Sequence, residues 1–147
     1  MPSIEQFLSG FRRFQQHYYL DNDTLFANLK HGQHPSTLVV GCCDSRVDPL
    51  MLTGSEPGEL FIVRNVANLV PPCEDDSHYH GVSAALEFAV QFLKVEEIVV
   101  MGHGMCGGCH AALHRTMEGA EPGRGGFIAD WIALLDDASN EVRAAHP

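Results

Sequence analysis

With 147 residues, 45% of them hydrophobic and 19% charged, the chain is long enough for one domain with its own core and too short for two comfortable ones. Only 9 Lys plus Arg accompany a formal charge of −10, so no basic stripe exists to displace counterions from a phosphate backbone, and nucleic acid is not an expected partner. No apolar run approaches the roughly 20 residues that span a bilayer, and no membrane association is expected.

The first segment, MPSIEQFLSGFRRFQQHYY, has no uninterrupted apolar stretch and carries its arginines after the apolar residues. It does not read as a secretory signal, and a cytoplasmic location is expected. Within it Ile4, Phe7, Leu8, Phe11 and Phe14 recur at the spacing of one helical face, with Tyr18 a turn further on. A second, short helix is predicted after Asp21 or Asp23, either of which can cap it; it carries Leu25, Phe26 and Leu29 and ends at HGQHP. The two helices are expected to form an arm over 1–31, packed either on a neighbouring subunit or on their own domain.

Three β-rich runs follow: Thr37 to Cys42, Glu59 to Asn65 and Glu97 to Met101. Each is continuous enough to predict burial on both faces, the pattern of a parallel sheet. Between the second and third, Val82, Ala85, Leu86, Ala89, Val90 and Leu93 trace one helical stripe and supply the crossover that a parallel pair requires. After GHGMCGG, the stretch HAALHRTMEG predicts a helix ending at its glycine; EPGRGG predicts a loop, and FIADWIALLDDASNEVRAA one last helix with no strand after it. The expected fold is α/β, a parallel central sheet flanked by helices, in a single domain over 1–147 with its core at 36–147.

The chemistry sits at strand ends. GCCDSRV, residues 41 to 47, follows the first run, and GHGMC follows the third. In open parallel sheets those ends form the ligand-binding crevice, so Cys42 and Asp44 can meet His103 and Cys106. Two thiolates and an imidazole are donors that zinc favours, with a fourth position left for water or for Asp44. Cys106 begins a helix whose free N–H groups favour its thiolate. Five cysteines, four of them in two tight clusters, suit such a site and a reducing compartment better than a disulfide framework. Cys43 and Cys109 are expected to be ordinary buried thiols. Of the other histidines, His17, His31, His34, His110, His114 and His146 read as surface residues, and His78 and His80 are the candidates for proton shuttling.

Cys-x-Asp-x-Arg at Cys42, Asp44 and Arg46, followed by His-x-x-Cys at His103 and Cys106 with Gly107 and Gly108 after it, resembles the β-class carbonic anhydrases. EPGELFIVRNVANLVPP and GVSAALEFAVQFLKVEEIVVMGH resemble that family's second strand and crossover helix, so the resemblance runs from about Gln33 to Gly108. It implies one zinc ion per chain on Cys42, His103 and Cys106, and reversible hydration of carbon dioxide to bicarbonate by zinc-bound hydroxide. It implies that Asp44, paired with Arg46, orients the attacking water, or binds zinc itself in a closed state. It also places Gln33, Phe61, Val66, Phe88 and Gly107 around the substrate; Phe88 is often a tyrosine in relatives. Relatives with a noncatalytic bicarbonate site have a tryptophan where this chain has Val39, so although Arg64 matches, that regulation is expected to be absent.

Family members form dimers or multiples of dimers, and a homodimer at least is implied. Their domains usually continue into a further strand and helix, which this chain is expected to lack, leaving a sheet edge for a partner to hide. Two alternatives follow: a noncatalytic zinc-binding structural or assembly subunit, and a hydrolase of carbon disulfide or carbonyl sulfide on the same fold. Intact Asp44, Arg46 and Gln33 favour catalysis over the structural alternative.

Overall fold

Ser3 starts the first helix with a reciprocal cap, its hydroxyl accepting from the Gln6 N–H at 3.3 Å while the Gln6 amide oxygen accepts from the Ser3 N–H at 2.8 Å. In this computed structural model, which describes residues 3–21, 23–75 and 78–146, the helix runs Ile4–Gln15 (α1) and continues as a π-helical turn, Gln16–Asp21. Helix α2 is Asp23–Leu29. The side chains of Asp21 and Asp23, the expected caps of α2, lie outside the described residues. Phe14 packs among Tyr18, Tyr19 and Phe26 at ring-centroid distances of 5.0, 6.0 and 5.5 Å. The rest of the predicted stripe, Ile4, Phe7, Leu8 and Phe11, is exposed. These helices make up one compact unit, Met1–His34, and Pro35–Pro147 forms a second.

In the second unit, strands β1 (Thr37–Cys42), β2 (Leu60–Asn65) and β3 (Glu97–Met101) form one parallel sheet in the order β2-β1-β3. Thr37 is in register with Leu60 on one side and Glu97 on the other. Being central, β1 carries the core: Leu38 and Val40 are fully buried with Ala89, and Phe61, Val63, Leu86 and Val95 pack around them. The expectation that all three runs are buried on both faces holds only for β1. Strand β2 is half-buried, and on β3 Ile98, Val99 and Val100 are 49, 43 and 54% exposed. An apolar run reveals a strand, but its place in the sheet decides how much of it is covered.

The connections shape the site. A short helix not foreseen from sequence, α3 (Pro49–Thr53), starts on Asp48, whose carboxylate accepts from the Met51 N–H at 3.2 Å; Pro49 occupies its first turn and Gly54, at φ 67°, ends it. The crossover is α4 (Gly81–Glu87), extended by a π-helical turn, Phe88–Leu93. Helix α5 (Gly107–His114) stops five residues short of the expected glycine. Arg115 takes the left-handed conformation at φ 53°, and the Arg143 guanidinium donates to the Leu113 carbonyl at 2.6 Å. The predicted last helix is two, α6 (Gly126–Ile132) and α7 (Asp136–Ala145), joined by a 3-10 turn, Ala133–Leu135. Ala111 and Ala112 of α5 are buried with Ile132 of α6.

Candidate metal centre

Cys42 closes β1, His103 lies two residues past β3, and Cys106 sits at the start of α5. Parallel strands in register bring their carboxyl ends to one edge, and the ligand atoms of these three residues all lie within 4.8 Å of one another. The two sulfurs are 3.8 Å apart and both cysteines are buried. His103 Nδ1 lies 2.9 Å from the Gly104 carbonyl oxygen, which can only accept, so Nδ1 carries the hydrogen and Nε2 presents its lone pair. Nε2 is buried and has no hydrogen-bond partner. A buried acceptor left open beside two buried thiols is what a metal ion in this position would satisfy, and the donor set suits zinc.

Burial pushes the Cys106 thiol up, but the N–H groups of Cys109 and Gly108 and the thiols of Cys109 and Cys42 outweigh it, and the net shift is downward, towards thiolate. Asp44 stands at the rim. Its Oδ2 is 4.0 Å from His103 Nε2, and both of its oxygens are taken by Arg46, at 2.8 Å from Nε and 2.6 Å from Nη2. These hydrogen bonds hold the carboxylate well below the usual range. Among the described residues the cluster of mutually close donors does not include Asp44. Arg46 Nη2 also donates to the Met105 carbonyl at 3.2 Å, tying the first loop to the second.

The floor of the site needs close packing. Asn65 brackets a tight turn, accepting from the Leu69 N–H at 2.7 Å and donating to the Leu69 carbonyl at 2.9 Å. Within that turn Ala67 adopts φ 65° and is buried with Cys42 and Cys106. A Cβ on Gly108 would stand 2.8 Å from Val66 Cγ1 and 2.9 Å from Ala67 Cβ, whereas one on Gly107 would meet nothing within 4 Å. Trp131 Nε1 donates to the Val66 carbonyl at 2.8 Å from α6.

Not every expected site residue converges here. Phe61 and Phe88 pack with tilted rings, their centroids 5.8 Å apart, but Phe61 is in register with Leu38, four rungs before Cys42 and roughly 13 Å along the strand. Val66 lines a cleft of about 700 Å³ with Cys43, Arg64, Tyr79, His80 and Trp131. Gln33 belongs to the first unit. Cys43 and Cys109 are exposed, contrary to the expectation of buried thiols; Cys43 follows the end of β1, and Cys109 lies on the first turn of α5 beside Cys106. Sequence reasoning named Arg64 only for its match to the family's noncatalytic bicarbonate site, and missed both its bonds to the Cys42 and Asp44 carbonyls and the part played by Asp48. The signal was available, since Arg64 interrupts an apolar strand and Asp48 precedes a proline as helix caps do.

A family-wide sequence model described as carbonic anhydrase matches residues 37–147. "Beta carbonic anhydrase 3" of Arabidopsis thaliana is 39% identical over 143 residues, covering 97% of this chain and 55% of that protein. The solved β-carbonic anhydrase CcaA superposes with a TM-score of 0.84 at 33% identity, over 96% of this chain and 61% of that one. One of two tetrameric β-carbonic anhydrases from Sordaria macrospora superposes with a TM-score of 0.76 at 32% identity, over 95% and 68%. The chain therefore spans about half the length of the Arabidopsis relative. With a three-stranded parallel sheet that matches these structures and the motif residues gathered at its carboxyl edge, the chain belongs to the β-class carbonic anhydrase family.

Proposed function

We propose that the chain hydrates carbon dioxide reversibly to bicarbonate and a proton, using one zinc ion held by Cys42, His103 and Cys106. The observation that carries this reading is the convergence of those three donor atoms within 4.8 Å beside a carboxylate engaged by arginine through both oxygens. Zinc, when bound, supplies the Lewis acidity that brings the pKa of a water from ~16 towards ~7. The protein's own groups do the rest. Arg46 keeps Asp44 ionised and turned to the site, so that Asp44 accepts one hydrogen of the reacting water and aims its lone pair at the substrate carbon. The Gly104 carbonyl fixes the His103 tautomer, and the first turn of α5 stabilises the Cys106 thiolate.

The proposed substrate contacts are Gln33, Phe61, Val66, Phe88 and Gly107. Phe61 and Phe88 lie too far along β2 and the crossover to reach the metal residues of their own unit, so they can line the pocket only if a second copy of the chain contributes them. A homodimer or a multiple of it is therefore part of the proposal, as are carbon dioxide and bicarbonate as partners. A structural zinc centre normally closes with four protein ligands; three mutually close donors among the described residues favour the catalytic reading over the assembly-subunit one. No helix among the described residues is long and apolar enough to cross a membrane, and five free thiols fit the proposed cytoplasmic location. Stopped-flow carbon dioxide hydration by the zinc-loaded chain tests the function. Rapid turnover is expected, and a zinc-loaded, dimeric chain without it would leave the assembly subunit and the hydrolase of carbon disulfide or carbonyl sulfide.

A further inference from the structure

We propose that Arg64 is a positioning residue for the metal centre: its guanidinium, reaching over from β2, fixes the backbone from Cys42 to Asp44 and so sets where one metal ligand and the orienting carboxylate stand. This rests on the reading of the centre given under Proposed function.

The geometry is specific. Arg64 Nε donates to the Cys42 carbonyl at 2.8 Å and Nη2 to the Asp44 carbonyl at 2.7 Å, while Nη1 pairs with Asp48 Oδ2 at 3.2 Å. The β1–β2 ladder ends at the Cys42–Asn65 pair and the β1–β3 ladder one residue earlier; beyond it the Cys43 N–H still donates to the Asn65 carbonyl at 2.9 Å and the Val47 N–H to the Asp44 carbonyl at 3.2 Å, and Arg64 adds the side-chain clamp across the bend. One planar fork spans the carbonyls of residues i and i+2 and defines the bend between them. Asp48 holds the fork in turn, since its other oxygen caps α3 through the Met51 N–H. Each of the three nitrogens donates to a protein acceptor, so Arg64 grips the turn from β2.

Two consequences follow from the same residue. Cys42 Sγ must stay 3.8 Å from Cys106 Sγ, and Asp44 must face His103 Nε2 at 4.0 Å; a turn released from Arg64 can relax both distances. Lysine keeps the charge but is a single donor centre without a fork, so it cannot hold two carbonyls and a carboxylate in one plane.

The test uses the full chain loaded with cobalt in place of zinc, as wild type, Arg64→Lys and Arg64→Met. Wild type should show thiolate-to-cobalt charge-transfer bands. In folded Arg64→Lys those bands and the d–d envelope should shift, affinity in chelator competition should fall ~10–100-fold, and kcat should fall with KM little changed. Folded variants with the wild-type cobalt spectrum and affinity would overturn the proposal. If neither variant folds, proton exchange at Arg64 Nε in the unsubstituted protein decides: the inference expects it to be at least ~10-fold slower than at the exposed Arg124, and equal rates overturn it. A wild-type chain with the thiolate bands but no hydration would sink the hydratase reading alone, because the spectral effect of Arg64→Lys is read without turnover. Absence of the thiolate bands in wild type would sink both.

Discussion

Arg46 binds Asp44 through both carboxylate oxygens, Nε to Oδ1 at 2.8 Å and Nη2 to Oδ2 at 2.6 Å, and the same Nη2 reaches the Met105 carbonyl at 3.2 Å. The pair thus couples the loop after β1 to the loop before α5, and it occupies the carboxylate that stands 4.0 Å from His103 Nε2.

Replacing either member should separate turnover from metal binding. Asp44→Asn and Arg46→Ala are expected to lower kcat ~10–100-fold while zinc content by atomic absorption stays near one per chain; unchanged turnover removes the pair from the mechanism. The pair also has a pH signature. The folded carboxylate is held below its unfolded value, so its contribution to stability is present above about pH 4 and is lost as the pH falls through the folded value. The gap in melting temperature between wild type and Arg46→Ala should therefore narrow in acid. A gap independent of pH would mean the ion pair contributes nothing.

His103 has a buried Nε2 with no partner, so it should gain most from a metal. His103→Ala and Cys42→Ser are expected to bring zinc stoichiometry close to zero. Chelation of the wild type should lower its melting temperature, since a ligand that binds only the folded state at 1,000 times its Kd stabilises by about 4 kcal/mol. His103→Ala retaining a full complement of zinc would move the site elsewhere.

Two adjacent glycines should behave differently. Alanine at Gly108 places a methyl 2.8 Å from Val66 Cγ1 and 2.9 Å from Ala67 Cβ, and alanine at Gly107 meets nothing within 4 Å. Gly108→Ala is expected to cost ~1–3 kcal/mol through overpacking and to loosen zinc, whereas Gly107→Ala should stay within about 0.5 kcal/mol of wild type. Denaturant titration of both variants checks this, and equal effects would contradict the close packing of α5 on the Val66 turn.

Much of the site was legible because its chemistry is written in short motifs at strand ends. The bounds of β1 and β3 followed from unbroken apolar runs, and Cys42, His103 and Cys106 followed from where those runs stop. What stayed hidden depends on contacts between distant segments. Helix α3 has five residues, too few to show a period, and is marked only by Asp48, Pro49 and Gly54. The end of α5 at His114 depends on Arg143 reaching the Leu113 carbonyl, and nothing near position 114 announces it. Ile98, Val99 and Val100 read as core yet stand at an edge, because hydrophobicity does not say which strand is central. From sequence Arg64 stood out only as a match to the family's noncatalytic bicarbonate site; its three acceptors around the Cys42–Asp44 turn come from segments the sequence does not bring together.

The exposed apolar residues bear on assembly. Ile4, Phe7, Leu8 and Phe11 on one face of α1 are 71, 61, 51 and 56% exposed, and a helix presents such a stripe stably only when something covers it. Light scattering at micromolar concentration is expected to give at least twice the 16.1 kDa of one chain, and Phe11→Asp should reduce that mass; a monomeric wild type would end the prediction. If Phe61 and Phe88 serve the site of a neighbouring copy, two individually inactive variants, Cys42→Ser and Phe88→Asp, should regain activity when unfolded and refolded together, because a mixed dimer contains one site with intact ligands and an intact lining. Failure of that mixture, with mixed dimers shown by mass spectrometry, would mean that the two phenylalanines only pack the sheet.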